Sequence, residues 1–171
     1  MARILIVGCG CRGQELARDL RAAGHAVRGT TRDPARTEAI AAAGAEPYVG
    51  DPDRVATLME ALTGVTILCW LMDTATGDAE RVAALHDARL RMLWEKLVDT
   101  PVRGVVHEAA GPLPPDVLGR GRAVAEAAGA TARPARTRTA STPCRSRVTA
   151  GIITPIRTFH HLPGRYHGGK L

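Results

Sequence analysis

An α/β fold built on a doubly wound, mostly parallel sheet of about five to six strands is predicted by three features of this 171-residue sequence. Short apolar runs alternate with helix-patterned stretches from residue 3 to about residue 130. The runs are continuously apolar, as expected of strands covered on both faces. A glycine-rich turn joins the first run to the first helix. Strand–helix–strand units of this kind form parallel sheets with right-handed crossovers, and their ligands bind beyond the carboxyl ends of the strands.

"RILIV" (3–7) is the first strand. Residues 13–23 follow with Leu16, Ala17, Leu20 and Ala23 at helical spacing, closed by Gly24. "HAVRGT" (25–30) is the second strand. Asp33-Pro34 then sets a capping carboxylate before a proline at the first helical position, and the helix runs to Gly44. "EPYVG" (46–50) is a short third strand, and "DPDRVATLMEAL" (51–62) reads as a helix. "VTILCWLM" (65–72) is the strongest strand signal, uncharged and bulky. Residues 78–99 read as one long helix with Val82, Leu85, Leu90, Leu93, Trp94 and Leu97 on its buried stripe. Asp87–Arg91 and Arg91–Glu95 form four-residue charge pairs on its outer face. "VRGVVHEAA" (102–110) is the fifth strand, and 114–129 a last helix closed by Gly129.

These elements make one domain, residues 1–130, large enough to bury a core without staples. The charge distribution separates it from a tail, residues 131–171. Residues 1–126 carry 15 Lys and Arg against 17 Asp and Glu, whereas residues 127–171 carry 8 Lys and Arg and no acid. The tail is rich in Arg, Thr, Pro and Gly, with "GIITPI" as its only apolar run, and its composition predicts a poorly structured, flexible segment. Acid-free, arginine-rich sequence is also what a shifted reading frame in a GC-rich gene yields; an intact in-frame tail on resequencing would remove that alternative.

Several function classes are disfavoured. No apolar run approaches the roughly 20 residues that span a membrane. The start mimics a secretory leader with a "IVGC" cleavage box, but one arginine and a four-residue apolar core fall short of it. The four cysteines Cys9, Cys11, Cys69 and Cys144 show no C-x-x-C spacing, so neither zinc nor a disulfide framework is expected, and free thiols point to the cytoplasm. Cys69, inside a strand, reads as a small buried hydrophobe. The basic charge lies in the tail, which lacks aromatic interleaving beyond Phe159 and Tyr166, so nucleic-acid binding is not favoured.

The chemistry is concentrated in Gly8-Cys9-Gly10-Cys11-Arg12-Gly13, a G-x-G-x-x-G set after a buried strand and opening a helix. The first glycine permits a sharp turn. The second, lacking Cβ, lets a pyrophosphate approach the backbone, and the third lets helix and strand pack closely. Free N–H groups and the dipole at the helix start favour the anion. A plain glycine turn is the alternative reading. The end of the second strand then separates the two nicotinamide cofactors, because an acid there pairs with a ribose 2′-hydroxyl and an arginine with a 2′-phosphate. Thr31-Arg32 stand there, with Asp33 at the helix cap, so NADP is favoured over NAD unless Arg32 is a solvated surface arginine. Arg12 is a second candidate for the phosphates.

"ILIVGCGCRGQELARDLRAAGHAVRGTTRDPAR" resembles the start of the atypical short-chain dehydrogenase/reductase-like proteins, including the NAD(P)-dependent epimerase and NmrA-like groups. The likeness covers residues 3–33, and the strand–helix order extends it to about 130. The resemblance implies a Rossmann domain in which Asp51, after the third strand, lies near the adenine; a helix N-cap is an equally good and compatible role for it. It also places the loop 71–77 near the nicotinamide. Candidate cofactor-binding residues are therefore Gly8, Gly10, Cys11, Arg12, Gly13, Thr31, Arg32 and Asp51.

Catalytic members of that group use a Tyr-x-x-x-Lys pair helped by a Ser or Thr after the fifth strand. Here that strand ends in His107-Glu108-Ala109-Ala110-Gly111, without a hydroxyl. The one literal match, Tyr166 to Lys170, contains two glycines at the chain end and reads as coincidence. His107 and Glu108 are adjacent on a strand, so at most one faces a cofactor, and a structural role for each is favoured. The sequence thus points to an NADP-binding protein, possible as an oxidoreductase or epimerase on an unidentified small molecule. The alternative is a non-enzymatic NADP sensor that acts on a protein partner.

Overall fold

A computed structural model describes residues 1–108, 111–131 and 151–155 of the chain. Its sheet contains β1 (Arg3–Val7), β2 (Ala26–Thr31), β3 (Glu46–Val49), β4 (Ile67–Trp70), β5 (Gly104–Glu108) and β6 (Gly151–Pro155). The spatial order is β3-β2-β1-β4-β5-β6. The first five strands are parallel, and β6 pairs antiparallel with β5, Glu108 opposite Gly151. The tail's apolar run therefore supplies a sixth strand. Tyr166, Lys170, His160, His161 and Cys144 lie outside the described residues.

The pleat explains why β1 is apolar at successive positions. Leu5 and Val7 join one core with Leu68, Trp70, Leu90, Leu93 and Leu97. Ile4 and Ile6 join the other, with Ala17, Val27, Ile40 and Cys69. Helices α1 (Cys11–Ala22) and α2 (Thr37–Ala42) cover the second face. Helices α3 (Ala79–Leu85), α4 (Ala88–Leu97) and α5 (Pro115–Thr131) complete the chain order. Leu5, Leu68 and Leu90 are fully buried, and each such side chain contributes about 1.5–3 kcal/mol. With helices on both sides and strand order reversing between β1 and β4, a crevice opens at the carboxyl ends there.

Four predicted helices differ from the structure, the last only in running through Gly129 to Thr131 rather than closing there. Residues 51–62 form two short 3₁₀ segments, Val55–Leu58 and Glu60–Leu62. The backbone bonds there run between residues three apart, Thr57 N–H to the Arg54 carbonyl at 2.7 Å among them, and the Thr57 hydroxyl accepts from the Asp51 N–H at 2.8 Å and donates to the Arg54 carbonyl at 2.8 Å. The 78–99 helix breaks at His86-Asp87, where buried His86 meets the Met72 carbonyl through Nε2 at 3.1 Å. The Asp87–Arg91 pair survives on α4 at 2.7 Å. The helix from Asp33 begins as a 3₁₀ turn, Pro34–Arg36, whose first amides are capped by Asp33 accepting from Ala35 N–H at 2.9 Å.

Candidate functional site

The site grows out of the β1–α1 turn. Gly8 has φ +86°, a left-handed conformation, and a Cβ there would collide with the Leu71 carbonyl and the Met72 methyl. At Gly13 a Cβ would lie 3.0 Å from the Gly8 carbonyl oxygen and 3.3 Å from Ile6, so α1 packs directly on β1. Gly10 differs from both: among the described residues a Cβ there would meet nothing within 4 Å. The side of the turn where a pyrophosphate would approach is open, and a methyl group would fill it. Gly10 caps α1, no side chain caps its first amides, and its first turn holds no acid. The turn is tied to β2 by Cys9 N–H donating to the Thr30 carbonyl at 3.0 Å. Cradle, helix dipole and free amides fit an anionic pyrophosphate.

A cleft of about 190 Å³ runs from this turn across the strand ends. Gly8, Cys9 and Gly10 form one wall, and Thr30, Thr31, Arg32 and Arg36 another. Leu71, Met72 and Thr74 belong to the segment after β4, and Gly50 and Pro52 to the loop after β3. Gly8, Gly10, Thr31 and Arg32 are thus brought together as the sequence suggests. Cys11, Arg12 and Gly13 stand at the start of α1 beside them. Asp51 sits between two lining residues, but its carboxylate accepts from Asp53 N–H at 3.0 Å, capping a turn rather than a helix. The Thr31 hydroxyl is engaged with Asp33, accepting from its N–H at 3.1 Å.

Arg32 and Arg36 are both exposed, and neither forms an ion pair among the described residues. Arg36 has no role in the sequence reading. Its signal is the Asp33-Pro34-Ala35-Arg36 turn, which returns the chain so that a second guanidinium reaches the same wall.

Arg12 is placed otherwise. Its guanidinium donates to Asp73 Oδ2 at 2.5 Å and to Glu108 Oε1, buried carboxyl groups in the segment after β4 and at the end of β5. Burial works against the Arg12 charge, but Asp73 and Glu108 outweigh it and hold the pKa above its ordinary value. Burial, with Asp73 beside it, pushes the Glu108 carboxyl up to about 8, against the pull of Arg12. Behind Glu108 lie two fully buried histidines, His86 and His107, edge to face with ring centroids 6.1 Å apart. Burial pulls His107 down to about 4, helped by His86 and Arg122, and lowers His86 as well. Gly121 of α5 permits this packing, since a Cβ there would lie 2.9 Å from His107 Nε2. Glu108 thus meets α1 while His107 meets α5, as adjacent strand residues must. Asp73 Oδ1, Glu108 Oε2 and both ring nitrogens of His107 are buried without a hydrogen-bond partner among the described residues.

Burial also raises the thiols of Cys9, to about 11, and Cys69, to about 12, so both are inert small side chains. Among the described residues no cluster of three His, Cys, Asp or Glu is placed to hold a metal. No helix among them is long and apolar enough to cross a membrane.

Residues 8–136 match the family described as NAD(P)H-binding. No curated protein matches the chain. Among solved structures, one similar fold is a short-chain dehydrogenase/reductase superfamily protein from Agrobacterium tumefaciens with bound NAD. Identity is 20%, TM-score 0.59, with 74% of this chain and 45% of that one covered. UDP-glucose 4-epimerase from Thermotoga maritima aligns at 14% identity and TM-score 0.60, covering 77% and 51%. UDP-N-acetylglucosamine 4-epimerase from Bacillus cereus aligns at 18% and 0.56, covering 78% and 50%. The chain spans about half the length of these proteins, and at such identities the likeness is one of fold.

Proposed function

The chain belongs to the NAD(P)H-binding family, and from its cleft we propose that the nucleotide it takes is NADP(H) in preference to NAD(H). One observation carries this reading: the open Gly10 cradle and two arginines without an ion pair among the described residues, Arg32 and Arg36, line the same cleft. The amides of Cys11, Arg12 and Gly13 face the pyrophosphate, Arg32 and Arg36 pair with the 2′-phosphate, and Asp51 stands on the adenine side. When bound, the nicotinamide supplies or accepts a hydride, an oxidoreductase or epimerase step on a substrate of unassigned class. The free thiols of Cys9, Cys11 and Cys69 support a cytoplasmic setting.

A second reading, an NADP sensor without turnover, is favoured by what stands at the end of β5. That position carries the Arg12-bound carboxyl of Glu108 in place of a hydroxyl, and Tyr48 on β3 donates to Glu60 at 3.2 Å. Hydride transfer to a panel of carbonyl compounds would separate the two.

Calorimetric titration of the wild type and Arg32→Ala with NADPH and NADH tests the cofactor assignment. A charge-assisted hydrogen bond is worth about 1.5–3 kcal/mol, so NADPH should weaken roughly 10- to 150-fold in the variant and NADH hardly at all. Equal affinities in the wild type would remove the NADP preference. Binding of neither nucleotide at millimolar concentration would remove the reading itself.

A further inference from the structure

The Arg12–Asp73–Glu108 cluster holds one cation and two carboxyl groups, each carboxyl no more than 2% exposed. It stands where α1 begins, so its cation is anchored one residue beyond Cys11, in the turn that forms the cradle. Met72 and Thr74, the neighbours of Asp73, line the cleft itself. One oxygen of each carboxyl group, Asp73 Oδ1 and Glu108 Oε2, is buried with no hydrogen-bond partner among the described residues. Fully ionised, the cluster carries an excess negative charge on two buried carboxyl groups, with only the Arg12 side chain partly open to solvent. A pyrophosphate arriving at the same turn would add more.

Resting on the cofactor reading above, we propose that Asp73 and Glu108 are a proton-binding site coupled to nucleotide binding through Arg12. The pyrophosphate takes a share of the Arg12 guanidinium, and Glu108 binds one proton from solvent to restore charge balance in the buried pair. No covalent bond changes; the buffer loses the proton that Glu108 gains. Arg12 keeps its hold on Asp73, and the protonated Glu108 donates to Asp73.

The surrounding groups leave Glu108 as the one that changes charge. Arg12 faces it from α1 and Asp73 from the segment after β4. His107 on β5 and His86 between α3 and α4 are neutral above pH 7, because burial lowers both. From α5, Arg120 faces His86 and Arg122 faces His107, each lowering the histidine further. Free Glu108 titrates at about 8, so nucleotide binding and proton binding meet in a mildly alkaline range. Above that pH the free protein has lost the proton that the complex requires, and affinity falls as pH rises.

The test is NADPH calorimetry on the full chain. Between about pH 7.5 and 9.5 the affinity should fall about tenfold. The 2′-phosphate does not interfere, since a phosphomonoester's second ionisation lies at about 6. At about pH 9, buffers of different ionisation enthalpy should show uptake of more than half a proton per NADPH. Glu108→Gln should abolish both the slope and the uptake. A flat wild-type profile with no proton exchange would overturn the proposal while leaving the cofactor reading intact, as would an unchanged slope in Glu108→Gln. Absence of NADPH binding at every pH would overturn both. If Glu108→Gln does not fold, the proton count in the parent protein decides alone.

Discussion

Gly10→Ala and Gly8→Ala, two changes that each add one methyl group to the same turn, should fail in opposite ways. Gly8 lies at φ +86°, a conformation that costs a residue with Cβ about 1–2 kcal/mol. The added methyl would also run into the Leu71 carbonyl, a backbone atom that cannot swing aside. Overpacking of that kind costs about 1–3 kcal/mol, so Gly8→Ala should lose about 2–5 kcal/mol. For a domain of this size that is a drop of roughly 5–15 °C in Tm. Gly10 has φ −75° and ψ −159°, open to any residue, and among the described residues nothing lies within 4 Å of its Cβ position. Gly10→Ala should therefore melt within about 0.5 kcal/mol of the wild type. Its methyl group occupies the ground a pyrophosphate needs, and about 1–3 kcal/mol of crowding there weakens NADPH roughly 5- to 150-fold. Thermal unfolding and fluorescence titration on both variants read the two effects. Normal NADPH affinity in Gly10→Ala, or equal destabilisation of the two proteins, would refute the assignment of the cradle.

From these two groups stability should be greatest between about pH 4.5 and 6.5 and fall on both sides. Folded Glu108 titrates at about 8, above its ordinary 4.5, so its contribution is complete below about 4.5 and lost as pH rises through 8. Folded His107 titrates at about 4, below 6.5, so its contribution is present above 6.5 and lost as pH falls through 4. Glu108→Gln should accordingly raise Tm at pH 9 relative to the wild type and leave it little changed at pH 5; equal shifts at both would contradict the Glu108 assignment. Asp33→Ala removes the acceptor for Ala35 N–H and should cost about 1 kcal/mol, with NADPH weakened because Arg36 rides on that turn. Unaltered melting would show that the cap contributes nothing.

The strands and the glycine turn were legible because their causes are local. "RILIV" needs only its own apolar side chains to announce a strand covered on both faces, and Gly8, Gly10 and Gly13 declare a turn by their spacing. What escaped is set by contacts distant in sequence. The break at His86 depends on the Met72 carbonyl, 14 residues earlier. The partners of Arg12 lie 61 and 96 residues away, so a residue that reads as a phosphate ligand is found tied to two carboxylates. Nothing in "DPDRVATLMEAL" reveals that its backbone bonds would run between residues three apart. Arg36 was within reach, since the Asp33-Pro34 turn that presents it could be read from sequence.

Backbone amide NMR during NADPH titration tests the cofactor site most directly. The amides of Gly8, Gly10, Cys11 and Gly13 should shift together with Arg32, and NADH should reproduce the cradle shifts without that of Arg32. Shifts confined to the groove of Arg3, Arg21 and Arg28, with the Gly8–Gly13 amides silent, would contradict it.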